Sequence, residues 1–137
     1  MISSYNSALQ TLDTNENLVF STNRVLTGCT VTHNEGSESF RLNKPGYYFV
    51  SFNGDAATFE TAGNVVVSLL NNGVVVPGAS ATSYSAASTD VQNLDFSTII
   101  RVAPSCHCVD NSAVLTIQNT GVEASYVNVN VVITKLC

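Results

Sequence analysis

Short runs rich in Val, Ile, Tyr and Phe, punctuated by Gly, Asn, Pro and Ser, extend along nearly the whole chain. Nothing carries the apolar spacing of a helix of useful length, so the pattern predicts an all-β sandwich or barrel. Strands are expected near Leu18–Phe20, Val25–His33, Ser39–Leu42, Tyr47–Phe59, Val65–Leu70, Val74–Val76, Ala79–Ala87, Val91–Val102, Ala113–Gln118 and Tyr126–Lys135. Asn71-Asn72-Gly73, between two Val-rich runs, predicts a hairpin, because Asn-Gly accepts the positive φ angles of a type I′ turn. Asn34-Glu35-Gly36, Pro77-Gly78 and Asn119-Thr120-Gly121 predict further turns. Met1–Asn15 is weakly patterned, with Leu9 and Leu12 making it either a short leading strand or an arm onto a partner. No internal repeat is evident.

The faces of these strands raise a question. Tyr126–Lys135 alternates, with Val127, Val129, Val131 and Ile133 on one side and Asn128, Asn130, Val132 and Thr134 on the other, as expected of a half-buried strand. By contrast, Tyr47–Phe52 is apolar on both sides: Tyr48, Val50 and Phe52 share one face, and Tyr47 and Phe49 share the other with Ser51. Val65–Leu70 is similarly two-faced. Such strands are covered either by the chain's own loops or by another copy of the chain, and in a sequence this poor in charge subunit contact is the preferred expectation.

Composition supports that view. The 137 residues make one domain, 45% hydrophobic but only 11% charged, against about 25% charged in an average domain. Asn, Ser and Thr take the place of charge on the polar faces. The net charge of -5, the pI near 4.6 and only five scattered basic residues (Arg24, Arg41, Lys44, Arg101, Lys135) argue against nucleic acid as a partner. Met1-Ile2-Ser3-Ser4-Tyr5 lacks the basic and apolar regions of a signal peptide. No apolar run is long enough to span a bilayer, so no membrane association is expected. Together with the lack of an Asn-x-Ser/Thr site, this fits a bacterial or viral product made in a reducing cytoplasm that acts outside the cell after release.

Candidate chemistry is sparse. Cys106-His107-Cys108 offers thiols and an imidazole, but the C-x-C spacing on an extended strand turns His107 away from the two thiols. A zinc site would need Cys29, Cys137 or His33 to complete it, and no second ligand pair is visible. A disulfide or buried free thiols among Cys29, Cys106, Cys108 and Cys137 is the preferred reading, and the pairing is left open. No nucleophile elbow, zincin motif or phosphate loop is present, and adjacent strand residues point apart, so no Cys–His dyad forms from Cys106, His107 and Cys108. Asp90, Asp95 and Asp110 read as turn formers, not a calcium loop. The expectation is a protein that is not an enzyme, without metal or cofactor.

Phe40, Gly46, Tyr48, Val50 and Phe52 resemble the core signature of C1q-like and TNF-like jelly rolls, and are also similar to the C-terminal domains of bacterial spore-surface collagen-like glycoproteins. The resemblance extends through Asn17-Leu18-Val19-Phe20, the segment from Leu69 to Ser80, Val114–Asn119 and the closing Asn130–Leu136. His33 departs from it, standing where an aromatic is usual, as does the Ala103–Cys108 turn, and no Gly-X-Y stalk precedes the domain. The resemblance implies a single antiparallel jelly-roll sandwich over residues 17–137, preceded by residues 1–16, and a homotrimer. It implies that Tyr48, Val50 and Phe52 fill the sandwich and that Tyr47 and Phe49 meet a neighbouring subunit. Trimeric heads suit a phage virion surface, as a capsid decoration protein or head fibre, with the capsid shell as partner. A spore or cell-surface protein of a Gram-positive bacterium, with spore-surface proteins as partners, and a carbohydrate-binding receptor tip are the alternatives.

Overall fold

The computed structural model describes residues 1–106 and 111–137. Twelve strands are seen among the described residues: β1 (Ile2–Asn6), β2 (Gln10–Leu12), β3 (Glu16–Asn17), β4 (Thr22–Leu26), β5 (Val31–Thr32), β6 (Phe40–Leu42), β7 (Gly46–Thr58), β8 (Gly63–Asn71), β9 (Val74–Ser85), β10 (Gln92–Val102), β11 (Ala113–Asn119) and β12 (Ala124–Lys135). They form two six-stranded sheets. The first runs β10-β7-β12-β1-β4, with β2 also on β12; the second runs β5-β6-β11-β8-β9, with β3 on β11. Every pairing described is antiparallel. The result is a two-layer jelly roll of the TNF-like kind, with its core between the sheets.

The core follows from alternation. Tyr48, Val50 and Phe52 of β7, Phe96 and Ile100 of β10, and Val129, Val131 and Ile133 of β12 point inward from the first sheet. Phe40, Val65, Val67, Leu69, Leu115 and Ile117 answer from the second. Phe52 stacks on its cross-strand partner Phe96 with centroids 5.3 Å apart. Phe40 meets Phe20 edge-on at 5.3 Å. His33, in the position where an aromatic is usual, stacks on Phe40 at 4.2 Å and so packs as a flat ring. Its Nδ1 lies 2.7 Å from Asn23 Oδ1 and its Nε2 lies 2.9 Å from the Ser37 carbonyl, which occupies both nitrogens.

Several sequence expectations need correction. Residues 18–20 are not a ladder strand. Leu18 and Phe20 are fully buried on an extended segment whose Leu18 N–H donates to Ile117 O at 2.7 Å. The single strand expected over Val25–His33 is broken in two, because Gly28 takes φ +74° and Thr27 N–H turns back to Met1 O at 2.9 Å. Pro77-Gly78 does not end a strand. It forms a bulge within β9, where the register shifts opposite Ser68–Leu70 and Gly78 takes φ +81°. The Asn72-Gly73 pair takes φ +51° and +81°, the left-handed pair a type I′ hairpin requires. In β12 a second bulge at Asn128 (φ +54°) shifts the parity, so Tyr126 and Val129 both face the core and Val127 is turned out of it. Residues 2–6 form a strand hydrogen-bonded on both sides, to β12 and to β4, with Ile2 and Ser4 fully buried. They are held in the sheet and do not extend as an arm.

The two-faced β8 is covered by the chain itself, contrary to the expectation of subunit contact. The turn after β11 folds over its outer side: Thr120 N–H donates to Val66 O at 2.9 Å, and the Ser68 hydroxyl bonds those of Thr120 and Ser80, each at 2.9 Å. Gly121 permits this, because a Cβ there would meet Val66 N at 2.7 Å and the carbonyl of Asn64. The same turn is anchored by the buried Asn119. Its amide donates toward Leu12 O, Asp13 O and Val122 O at 3.0–3.2 Å, and its Oδ1 accepts from Tyr126 Oη at 2.8 Å.

Candidate interaction face and cysteine-bearing end

The outer face of the first sheet keeps its apolar residues in the open. On β7 the inward set Tyr48, Val50 and Phe52 is at most 1% exposed. On the other side Tyr47 is 45% exposed and Phe49 is half-buried. Cross-strand register puts Ile99 of β10 beside Phe49 and Thr134 of β12 on its other flank; Ile99 is 57% exposed. Ser51 lies between Ser97 and Val132 one step further along. An apolar ridge of Tyr47, Phe49 and Ile99 thus crosses two adjacent strands, flanked by Ser51, Ser97, Val132 and Thr134, with Arg101 opposite Tyr47. Ile99 was not among the residues singled out from sequence. The doublet Ile99-Ile100, which breaks the alternation of β10, is the signal that would have found it.

Gly46 fixes where the ridge begins. It takes φ +138°, and a Cβ there would strike Cys137 O and the Lys135 side chain. Only glycine lets β7 start this close to the end of β12, where Tyr47 N–H donates to Cys137 O and Leu136 N–H donates to Tyr47 O. Tyr48 donates from its hydroxyl to Lys44 O at 2.6 Å. Burial raises its pKa above the usual phenol value, so it stays a neutral donor.

Further along the same face, Tyr5, Asn6, Arg24, Asn128 and Asn130 line a shallow groove. The Arg24 guanidinium lies 4.8 Å from the centroid of the Tyr5 ring, and the buried Oδ1 of Asn130 has no hydrogen-bond partner among the described residues.

The cysteines are neither buried nor paired as far as they are described. Cys29, Cys106 and Cys137 are exposed free thiols, which corrects the expectation of a disulfide or buried thiols for these three; Cys108 lies outside the described residues, as does His107. Exposure follows from position: all three sit in loops or at a strand end, where no second layer covers them. No group of three His, Cys, Asp or Glu side chains able to hold a metal is found among the described residues.

At the opposite end, Asp13, Glu60 and Glu123 from three different loops gather with Glu16 at the start of β3. Loss of hydration and then repulsion from Asp13, Glu60 and Glu16 hold the Glu123 carboxyl above the usual carboxylate range.

No protein-family model and no curated protein sequence matches the chain. Solved structures do match its fold. A crystal structure of murine APRIL aligns with a TM-score of 0.67 at 8% identity, covering 98% of each chain. Eiger TNF from S. frugiperda aligns with a TM-score of 0.69 at 10% identity, covering 99% of this chain and 92% of the other. Vertex protein P5 of PRD1 aligns with a TM-score of 0.55 at 15% identity, covering 99% of this chain and 96% of the other. The chain therefore shares the TNF-like jelly roll over its whole length, at identities that speak to fold alone.

Proposed function

We propose that this chain is a non-enzymatic structural or binding protein that works as a homotrimer on a virion surface, as a capsid decoration protein or head fibre. The observation that carries the reading is the ridge of Tyr47, Phe49 and Ile99, which the described residues leave uncovered while the equivalent side of β8 is covered. Two half-exposed large apolar side chains and a half-buried third, neighbours on one sheet face, form an apolar patch of the kind oligomers bury. The shared fold with the PRD1 vertex protein supports the virion placement. Tyr47 and Phe49 are assigned to the interface, with Ile99 added to them. Phe40, Gly46, Tyr48, Val50 and Phe52 are assigned to building the sandwich behind it. The capsid shell is the outer partner; a spore or cell surface is the alternative, with no structural observation in its favour.

Light scattering of the purified chain tests this. A mass of three chains that survives reductant is the expected result, and a monomer at micromolar concentration would overturn it. A second reading, glycan binding, draws on the Tyr5–Arg24–Asn130 groove, whose aromatic face and unpaired amide oxygen suit a sugar. A glycan array tests that reading separately.

A further inference from the structure

At one side of the sandwich each sheet ends on a short edge strand, β4 in the first and β5 in the second. A polar cluster joins them. His33 directly follows β5, is only 6% exposed, and lies flat on Phe40 of β6. Asn23 of β4 reaches it twice: its Nδ2–H donates to the His33 carbonyl at 2.9 Å, and its Oδ1 faces His33 Nδ1 at 2.7 Å. On the other side of the ring, Nε2 faces the Ser37 carbonyl at 2.9 Å. The turn over 34–37 is tied in as well: Asn23 N–H donates to Glu35 Oε1 and Gly36 N–H donates to Phe20 O, each at 2.9 Å.

The donor count does not close with a neutral ring. The Ser37 carbonyl only accepts. Asn23 Oδ1 only accepts too, and turning that amide over would set its oxygen against the His33 carbonyl in place of Nδ2–H. A neutral imidazole has one N–H, so one of its nitrogens would aim a lone pair at an acceptor oxygen less than 3 Å away. An imidazolium donates from both nitrogens and satisfies every partner. The 2.7 Å between Nδ1 and Oδ1 falls in the range of charge-assisted bonds, and a positive ring flat on Phe40 gains a cation–π contact. The charged groups around the ring are Glu35 and the exposed Glu38 in its own loop, and Arg41 of β6, which lines the adjoining groove and donates to Ser112 Oγ at 2.8 Å. Arg24, next to Asn23 in β4, is turned to the Tyr5 ring. Phe20 and Val114 of β11 bring no charge. That shallow groove, between Thr32, Asn34, Ser39 and Val114, gives the ring a path for proton exchange with solvent.

We infer that His33 is held as the imidazolium in the folded chain and works as a proton-keyed clasp, whose proton locks β4 to the turn over 34–37 and whose loss releases that edge of the sandwich. When the proton leaves to solvent, one of the two ring bonds goes with it. Alternatively Asn23 turns over and gives up its bond to the His33 carbonyl. Either route removes one bond from the cluster and leaves a polar group unpaired. The stabilisation is fully present below about pH 6.5, the value of a free imidazole, and is lost as the solution turns alkaline. The clasp goes beyond the trimer reading and does not depend on it.

The chain has two histidines, so a His107→Gln variant leaves His33 as the only imidazole in the spectrum. Long-range proton–nitrogen NMR at about pH 7, where roughly three-quarters of free imidazole is neutral, is expected to show a proton on both His33 nitrogens. A bare nitrogen there would overturn the proposal. Native-state amide exchange, corrected for its intrinsic pH dependence, reads the clasp itself. Between about pH 6 and about pH 9 the opening equilibria of the Asn23 and Gly36 amides are expected to rise by roughly tenfold or more, the effect of one charged hydrogen bond, while amides at the centre of β7 and β12 hold constant. His33→Phe keeps a flat ring on Phe40 and loses both donors. It is expected to loosen the same amides at every pH and to abolish the step. A step of equal size in His33→Phe, or no step in the parent chain, would also overturn the proposal. Should His33→Phe fail to fold, the proton count on the parent ring still decides. None of these readouts depends on oligomeric mass, so failure here and failure of the trimer reading are separable.

Discussion

Replacing Ile99 by Asp tests the ridge directly, because Ile99 is exposed in the single chain and its own sheet does not need it. Fully burying an aliphatic or aromatic side chain is worth about 1.5–3 kcal/mol. Ile99 is 57% and Tyr47 45% exposed, so an interface has about half of that left to recover at each, about 1.5–3 kcal/mol per copy for the two. Ile99→Ala removes about 1 kcal/mol per copy, hence about 3 kcal/mol per trimer, or close to two decades in the association constant. Ile99→Asp does more. Each copy would carry a carboxylate into an apolar contact at a cost of several kcal/mol per ion, reduced by whatever Arg101, two residues further along the same face of β10, returns by pairing with it. Light scattering across a concentration series is the assay, with urea unfolding to confirm an intact fold. The expected outcome is a weakened trimer for the alanine variant and a folded monomer for the aspartate variant. Val74→Asp, at a residue 69% exposed on the β8–β9 hairpin, serves as control and should leave the mass unchanged. A trimer that persists in Ile99→Asp would refute the assignment of this face.

Three further outcomes concern the frame that presents the face. Asn119→Ala strips the hydrogen-bond donor from three carbonyls and the acceptor from Tyr126, which should lower stability by about 3–5 kcal/mol in urea unfolding; a loss below about 1 kcal/mol would refute its role as anchor. Gly121→Ala drives a methyl group into the Asn64 and Val66 backbone, and should cost about 2 kcal/mol or more with a local loss of amide-exchange protection in β8. Glu123 has a raised folded-state pKa, so the folded chain binds its proton more tightly than the unfolded one. Its repulsion is absent below the unfolded value near 4.5 and destabilises as pH rises through the folded value. Glu123→Gln should therefore be more stable than the parent at neutral pH and low salt, and the gap should close at pH 4; a gap indifferent to pH would count against the clustering of these carboxylates.

Period-two alternation by itself determines that Tyr48, Val50 and Phe52 share one side of β7 while Tyr47 and Phe49 share the other. Likewise Asn72-Gly73 determines its hairpin, because the backbone angles it accepts are local properties of those two residues. Sequence also sets the low charge that leaves an apolar face tolerable only if something covers it. What covers each face is not local. Both β7 and β8 are apolar on two sides, yet the turn at Thr120 and Gly121 closes on β8, while among the described residues Tyr47 and Ile99 stay exposed. Val127 shows the same limit: one bulge at Asn128 shifts every residue before it in β12 to the opposite side, and a shift of one residue leaves no mark in the alternation of the neighbours. Charge sorting is the furthest from sequence. Arg41, Lys44, Arg101 and Lys135 look scattered along the chain. Their segments come to the same end because antiparallel strands return distant loops to it, and only long-range register decides which loops those are.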